Sequence, residues 1–213
     1  GLDNKWVSIN VANEHSQGLK SDGTLWGWGR NDFGQLGDGT STNRQAPVQT
    51  GTDNSWVSMA AGAYHSIGLK SNGTLWGWGR NIFGALGDGT TNTQLNPVQA
   101  GTDNKWVSIA SGSFNSLGLK SDGTLWGWGR NNFGQLGDGT TNNQLSPVQS
   151  GTDSKLVSIT AGHDHSLGSK SDGTIWSWGY HCRGAVVGGS FTDPLNAVQR
   201  GPENKGITII GGS

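Results

Sequence analysis

Apolar and small or polar residues alternate in short runs along this chain, and the runs return every 50 residues without insertion or deletion. In the second copy, Trp56-Val57-Ser58-Met59-Ala60 reads as a half-buried strand. A small-residue corner, Ala61-Gly62-Ala63, follows, and His65-Ser66-Ile67-Gly68-Leu69-Lys70 alternates again. Asn72-Gly73 then separates two alternating runs, the strongest local signal for a hairpin. Asp22-Gly23, Asp122-Gly123 and Asp172-Gly173 take its place in the other copies. Leu75-Trp76-Gly77-Trp78 is the returning strand, with both indoles on one face and Gly77 leaving room on the other. A glycine-rich loop, 81–90, leads to Pro97-Val98-Gln99, an edge strand because proline cannot donate to a ladder.

The period of 50 residues is a supersecondary unit copied along the chain, each copy burying its apolar face on the next. All 11 tryptophans fall in three columns: Trp6, Trp56 and Trp106; Trp26, Trp76, Trp126 and Trp176; Trp28, Trp78, Trp128 and Trp178. About four short strands per copy, with periodic glycine and aromatic residues, predict an all-β chain folded as a β-propeller. A β-solenoid is the competitor, but its coils are usually shorter. The unbroken register makes residues 1–213 one array, with repeats at 5–54, 55–104, 105–154 and 155–204. A fifth-repeat strand at 205–210 parallels 155–159 and is left over.

Composition sharpens this reading. The apolar fraction is 31%, low for a core, but 38 glycines make the chain turn-rich rather than disordered. Fourteen basic residues balance 15 acidic ones, and no Lys/Arg cluster supplies the footprint of a phosphate-backbone binder, so no nucleic-acid partner is expected. No apolar run approaches the ~20 residues of a membrane helix, and no membrane partner is expected. Cys182 is the single cysteine, which excludes an intrachain disulfide. The chain opens at Gly1 without Met, consistent with removal of an upstream segment.

The repeated Trp-Gly-Arg-Asn at 28–31, Gly-Gln-Leu-Gly-Asp-Gly at 34–39 and 134–139, and His-Ser at 15–16, 65–66 and 165–166 resemble the repeat of the regulator of chromosome condensation family. The resemblance covers residues 5–200 and implies a β-propeller, typically of about seven blades. Members include an exchange factor for a small GTPase, a plant ultraviolet-B photoreceptor and secreted bacterial inhibitors of β-lactamases. Copies of constant length leave no room for the exchange factor's inserted wedge. Gly-Trp-Gly-Arg-Asn stands where the photoreceptor carries Gly-Trp-Arg-His-Thr. The compact bacterial type fits best, which implies an extracytoplasmic or secreted bacterial protein. Four repeats of a blade suited to a larger ring do not close alone. The array is then part of a longer one, or two chains complete a ring, or the spare strand lies on an edge. Self-association into a homo-oligomer, a dimer in the simplest case, is the favoured expectation.

The functional expectation is a protein-binding scaffold that recognises a protein partner through variable loops on one face. Positions that change while their neighbours repeat mark it. The corner before His-Ser reads Glu14, Tyr64, Phe114 and Asp164, and the loop after Arg-Asn reads Asp32, Ile82, Asn132 and Cys182. Drift of solvated loops is the competing reading. The alternative function is a hydrolase built on His163, Asp164, His165 and His181 in the fourth copy. Adjacent His and Ser point to opposite faces of a strand, so the repeated His is expected to bond backbone and pin the corner. Arg30, Arg80 and Arg130 are expected to stack on indoles. No catalytic residue, metal site or cofactor is assigned. Asn72-Gly73-Thr74 matches a glycosylation sequon, which the turn accounts for.

Overall fold

Each period folds into one four-stranded antiparallel sheet in a computed structural model that describes residues 5–151, 155–180 and 194–200. The first sheet holds β1 (Trp6–Val11), β2 (His15–Lys20), β3 (Leu25–Gly29) and β4 (Arg44–Gln49). The second holds β5 (Trp56–Ala61), β6 (His65–Lys70), β7 (Leu75–Gly79) and β8 (Gln94–Gln99). The third holds β9 (Trp106–Ser111), β10 (Asn115–Lys120), β11 (Leu125–Gly129) and β12 (Gln144–Gln149). The fourth holds β13 (Leu156–Ala161), β14 (His165–Lys170), β15 (Ile175–Gly179) and β16 (Val198–Arg200). Order within each sheet follows the chain, so in the first three sheets the proline-bearing strand is an edge, as its missing donor requires. The innermost strands pack on one another, β1 on β5, β5 on β9 and β9 on β13, around a central cavity of about 320 Å³ that all four line. This is propeller architecture. His181, Cys182, the drifted loop at 185–190 and the spare strand at 205–210 lie outside the described residues.

Strict alternation in the first strand of each copy does not hold. Trp56 pairs with Lys70 and Ser58 with Leu69, which skips Val57. The bulge leaves Val57 exposed and returns Trp56 and Met59 to the same buried cluster. An uninterrupted period of two would have placed them on opposite faces.

The turn after the second strand closes by Lys70 N–H donating to Thr74 O at 3.1 Å and Gly73 N–H to Lys70 O at 2.9 Å. Asn72 Oδ1 accepts the Thr74 hydroxyl at 2.7 Å, and Trp76 Nε1–H donates to that hydroxyl at 2.9 Å. Gly73 has φ +77°, and a Cβ there would lie 2.0 Å from Asn104 O of the following connection. The turn and the neighbouring repeat thus exclude any side chain at that position.

Sheets join by one rule. The Leu face of a sheet receives the Trp face of the next: Leu19 and Leu25 pack with Trp56, Met59 and Trp78. Leu69 and Leu75 meet Trp106 and Trp128, and Leu119 and Leu125 meet Leu156, Ile159 and Trp178. Three of the four third-column indoles also donate across the joint. Trp78 Nε1–H reaches Gln35 O at 3.0 Å, Trp128 reaches Ala85 O at 2.9 Å and Trp178 reaches Gln135 O at 2.9 Å. Leu156 holds the place of Trp56 and Trp106 and borders a cavity of about 300 Å³. At the opposite end no other sheet among the described residues covers the Trp face of the first sheet. Ile9 is 71% exposed where Met59 is 7%, and Trp28 is partly exposed where Trp78 is fully buried.

Candidate functional site

One end of the sheets carries the corner between first and second strands together with the loop that follows the Arg-Asn pair. A buried asparagine shapes that loop. Asn81 Nδ2–H donates to Asp88 Oδ1 and to Thr90 O, both at 3.0 Å, while its Oδ1 accepts Leu86 N–H at 3.0 Å. Asn31 and Asn131 repeat the arrangement. One amide therefore closes a ten-residue loop on itself, which explains why Asn and Gly-Asp-Gly-Thr recur together. The loop holds Phe33, Phe83 and Phe133 in fixed places beside the corner.

Backbone bonds fasten corner to loop: Arg30 N–H donates to Glu14 O at 2.8 Å, Arg80 to Tyr64 O at 2.9 Å and Arg130 to Phe114 O at 2.9 Å. Glu14, Tyr64, Phe114 and Asp164 therefore lie on one face, together with the loop positions Asp32, Ile82 and Asn132. The corner and loop residues do not act alike. Tyr64 and Phe114 are half-buried members of an aromatic ladder across sheets. Phe33 meets Tyr64 edge-on at 5.6 Å, Tyr64 meets Phe114 at 5.7 Å, and Phe83 meets Phe114 edge-on at 5.5 Å. Ile82 stands 43% exposed beside the ladder, and Asp32 and Asn132 are exposed.

Glu14 and Asp32 serve Arg30: its Nη1–H donates to Glu14 and its Nε–H to Asp32 Oδ2 at 2.7 Å, and these bonds, Glu14's first, raise the guanidinium pKa above its ordinary value. Asp164 receives Arg130 Nη1 at 3.5 Å, Gln135 Nε2–H at 3.2 Å and His163 Nδ1 at 2.7 Å. The arginines stack on Phe and Tyr rather than indoles. Arg80 lies 4.7 Å from the Phe33 centroid and 5.4 Å from that of Tyr64. The indoles instead receive lysines, with Lys70 Nζ 3.5 Å from Trp76 and Lys120 Nζ 3.4 Å from Trp126. The reason is that the Trp pair points along the sheet joint while the next two residues turn onto the corner face.

The repeated histidine also differs from expectation. His15 Nε2 lies 3.0 Å from Ser66 Oγ and His65 Nε2 lies 2.9 Å from Ser116 Oγ, in each case the serine of the next sheet. Sequential His and Ser indeed point apart, but stacking of the copies pairs each His with the following Ser. Ser66 Oγ donates its own proton to Gln35 O at 2.8 Å, so the His15 Nε2–H is the donor to Ser66. Both histidines are buried and neutral: burial lowers His15 to about 4, and burial, with the neighbouring His15, lowers His65 to about 3. A buried serine that donates to a carbonyl offers no nucleophile, and these pairs are fasteners between sheets. In the fourth copy His163 is exposed and held by Asp164, and Ser166 Oγ donates to Gln135 O at 2.8 Å. Among the described residues no group of three or more His, Cys, Asp and Glu side chains is arranged for a metal ion. No helix of the described residues is long and apolar enough to cross a membrane.

The family model described as the Regulator of chromosome condensation (RCC1) repeat matches residues 22–69, 72–119 and 122–168. A second model of the same description matches 6–35, 56–85, 106–135 and 156–185. The Ultraviolet-B receptor UVR8 of Arabidopsis thaliana is 45% identical over 49 residues, 22% of this chain and 11% of that protein. Among solved structures, human WBSCR16 superposes with a TM-score of 0.86 at 21% identity, over 97% of this chain and 56% of that one. Prp20p from Saccharomyces cerevisiae superposes with a TM-score of 0.83 at 24% identity, over 92% of this chain and 50% of that one. The chain spans about half the length of these solved relatives. At such identities the likeness shows the fold alone.

Proposed function

Because the chain belongs to the Regulator of chromosome condensation (RCC1) repeat family, we propose that it is a protein-binding scaffold that meets its partner through the corner face. Prp20p, of like fold, is described by its binding to Gsp1p and histones. The observation that carries the reading here is the ladder of Phe33, Tyr64, Phe114 and Phe83 with exposed Ile82 beside it. Half-exposed aromatic residues next to arginines are the usual composition of binding hot spots. The loops that hold them are closed by buried asparagines, so the face is preorganised and little ordering entropy opposes docking. A hydrolase centred on His163, Asp164 and His165 has weaker support, since Ser166 is buried and bonded to backbone.

Affinity capture from the native source with the intact chain tests the proposal. Tyr64→Ala and Phe114→Ala are each expected to weaken retention of the partner by about 2 kcal/mol, roughly thirty-fold, as hot-spot truncations do. Each should melt cooperatively. Undiminished retention by both variants would remove the corner face from consideration.

The Trp face of the first sheet, uncovered among the described residues, is proposed to be covered by a second copy. The chain already forms this Trp-on-Leu joint between successive sheets, and Ile9 and Val11, 71% and 72% exposed, extend it into solvent. Light scattering on the chain of 22.3 kDa is expected to report a dimer at high concentration, and Ile9→Glu a monomer. A strictly monomeric wild-type particle would overturn this assembly.

A further inference from the structure

The three arginines of the corner face are chemically unequal. Arg30 is neutralised within its own sheet by Glu14 and Asp32. Arg130 is neutralised by Asp164 of the following sheet. Arg80 occupies the same register, yet each position that supplies a carboxylate to the others is apolar around it. Tyr64 stands where Arg30 has Glu14, Ile82 where it has Asp32, and Phe114 where Arg130 has Asp164. Among the described residues Arg80 has no ion pair, and its guanidinium rests on the Phe33 and Tyr64 rings at 4.7 and 5.4 Å. The group is half-buried, so it has lost part of its hydration without a counter-ion replacing it.

We propose that Arg80 is the anchor for a carboxylate of the partner: an Asp or Glu side chain in a segment whose neighbouring residues are apolar or aromatic. This rests on the protein-binding reading above and names the partner's chemistry. A guanidinium presents paired donors that match a carboxylate, and the flat rings beneath hold its plane in place. The surrounding Tyr64, Phe114 and Ile82 exclude water from the pair, which strengthens it, and give the flanking apolar residues a surface to cover. The ion pairs on either side set the register. Arg30 and Arg130 already have a carboxylate partner each within the chain, so a single acidic residue aligned with the second sheet is preferred over a run of charge.

The test is selection of a random nine-residue peptide display library on the intact chain, followed by titration of the synthesised winners. Wild-type protein should select peptides with one Asp or Glu beside Leu, Phe, Tyr or Trp. Changing that acid to its amide should cost about ten-fold or more in affinity, as loss of a charge-assisted pair does. Arg80→Met, which keeps the apolar stem, should cost a similar factor, and the amide peptide should lose nothing further on that variant. Arg80→Lys should recover only part of the affinity, since it restores charge without the fork. Melting of Arg80→Met close to wild type certifies its fold. Peptides weakened by Tyr64→Ala that show no acidic preference would overturn the anchor while leaving the binding face intact. Acidic peptides whose affinity Arg80→Met leaves unchanged would also overturn it. Winners indifferent to Tyr64→Ala, Phe114→Ala and Arg80→Met together would overturn both the anchor and the face.

Discussion

Trp128→Ala is expected to destabilise the chain by about 3–5 kcal/mol, the range for deleting a buried aromatic core residue. The indole is fully buried at the joint between the second and third sheets. Its ring meets Trp106 edge-on at 5.9 Å, and Gly118 brings the backbone close beneath it, with its Cβ position 3.3 Å from Trp128. The Nε1–H bond to Ala85 O at 2.9 Å would be lost as well, although Ser116 Oγ still serves that carbonyl at 2.9 Å. Truncation thus opens a cavity between two sheets and removes a bond that joins them.

Trp28→Ala supplies the comparison. Trp28 has the same sequence context and the same edge contact, with Trp6 at 6.1 Å, but its outer side faces solvent. Less area leaves water on folding, so about 1–2 kcal/mol is expected. Urea denaturation of the two variants measures the difference as a shift in midpoint at unchanged slope. Equal losses at both positions would mean that the third-column Trp stabilises its own sheet rather than the joint.

Acid sensitivity beginning near pH 6.5 is the second large expectation. His15 and His65 are buried and neutral in the folded chain, lowered to about 4 and about 3, whereas the unfolded chain protonates both near 6.5. Between those values the unfolded state binds more protons, so stability rises with pH and is complete above 6.5. It falls as the solution is acidified through 6.5 toward 4, by roughly 2 kcal/mol per histidine between pH 7 and pH 5. Lower still, Asp53 adds to the loss. Its bond with Lys70, then that with Ser55, hold its carboxyl at about 2, so its share is present above the usual carboxylate range and disappears between there and about 2.

Thermal melts across pH 4–8 measure the effect, and His65→Asn isolates it. Asn115 occupies the same corner in the third copy and shows that an amide fits there. The variant should be less stable at pH 7, because the contact of 2.9 Å with Ser116 is lost. Its dependence on pH between 4 and 6.5 should be shallower. An unchanged slope would show that His65 is not the titrating group.

The parts of the fold legible in sequence were those that recur covalently. The Asp-Gly or Asn-Gly turn, the Trp-Gly-Trp strand and the proline edge each follow from backbone chemistry within a few residues, and a constant period repeats them. The bulge at Val57 was not legible, because Val at that place satisfies simple alternation and only pairing with Leu69 and Lys70 exposes the skipped residue. The corner face was half legible. Changing residues pointed to Tyr64 and Phe114, but Phe and Arg repeat at 33, 83 and 133 and at 30, 80 and 130 in the first three copies, so a search for variation passes over them. Their contacts run from one copy to the next, at separations no local pattern reports.

The sequence by itself determined that the chain is a repeat array, which residues form its turns and strands, and that its tryptophans belong to the core. Those properties depend on local dihedral preference and on alternation along a strand. Tertiary structure alone decided which charges are already paired and which is not. Arg30, Arg80 and Arg130 are identical in motif, yet the first finds carboxylates in its own sheet, the third finds one in the next sheet, and Arg80 finds aromatic rings. Whether a cation is satisfied depends on atoms within about 4 Å, and in a propeller some of those atoms belong to the neighbouring blade.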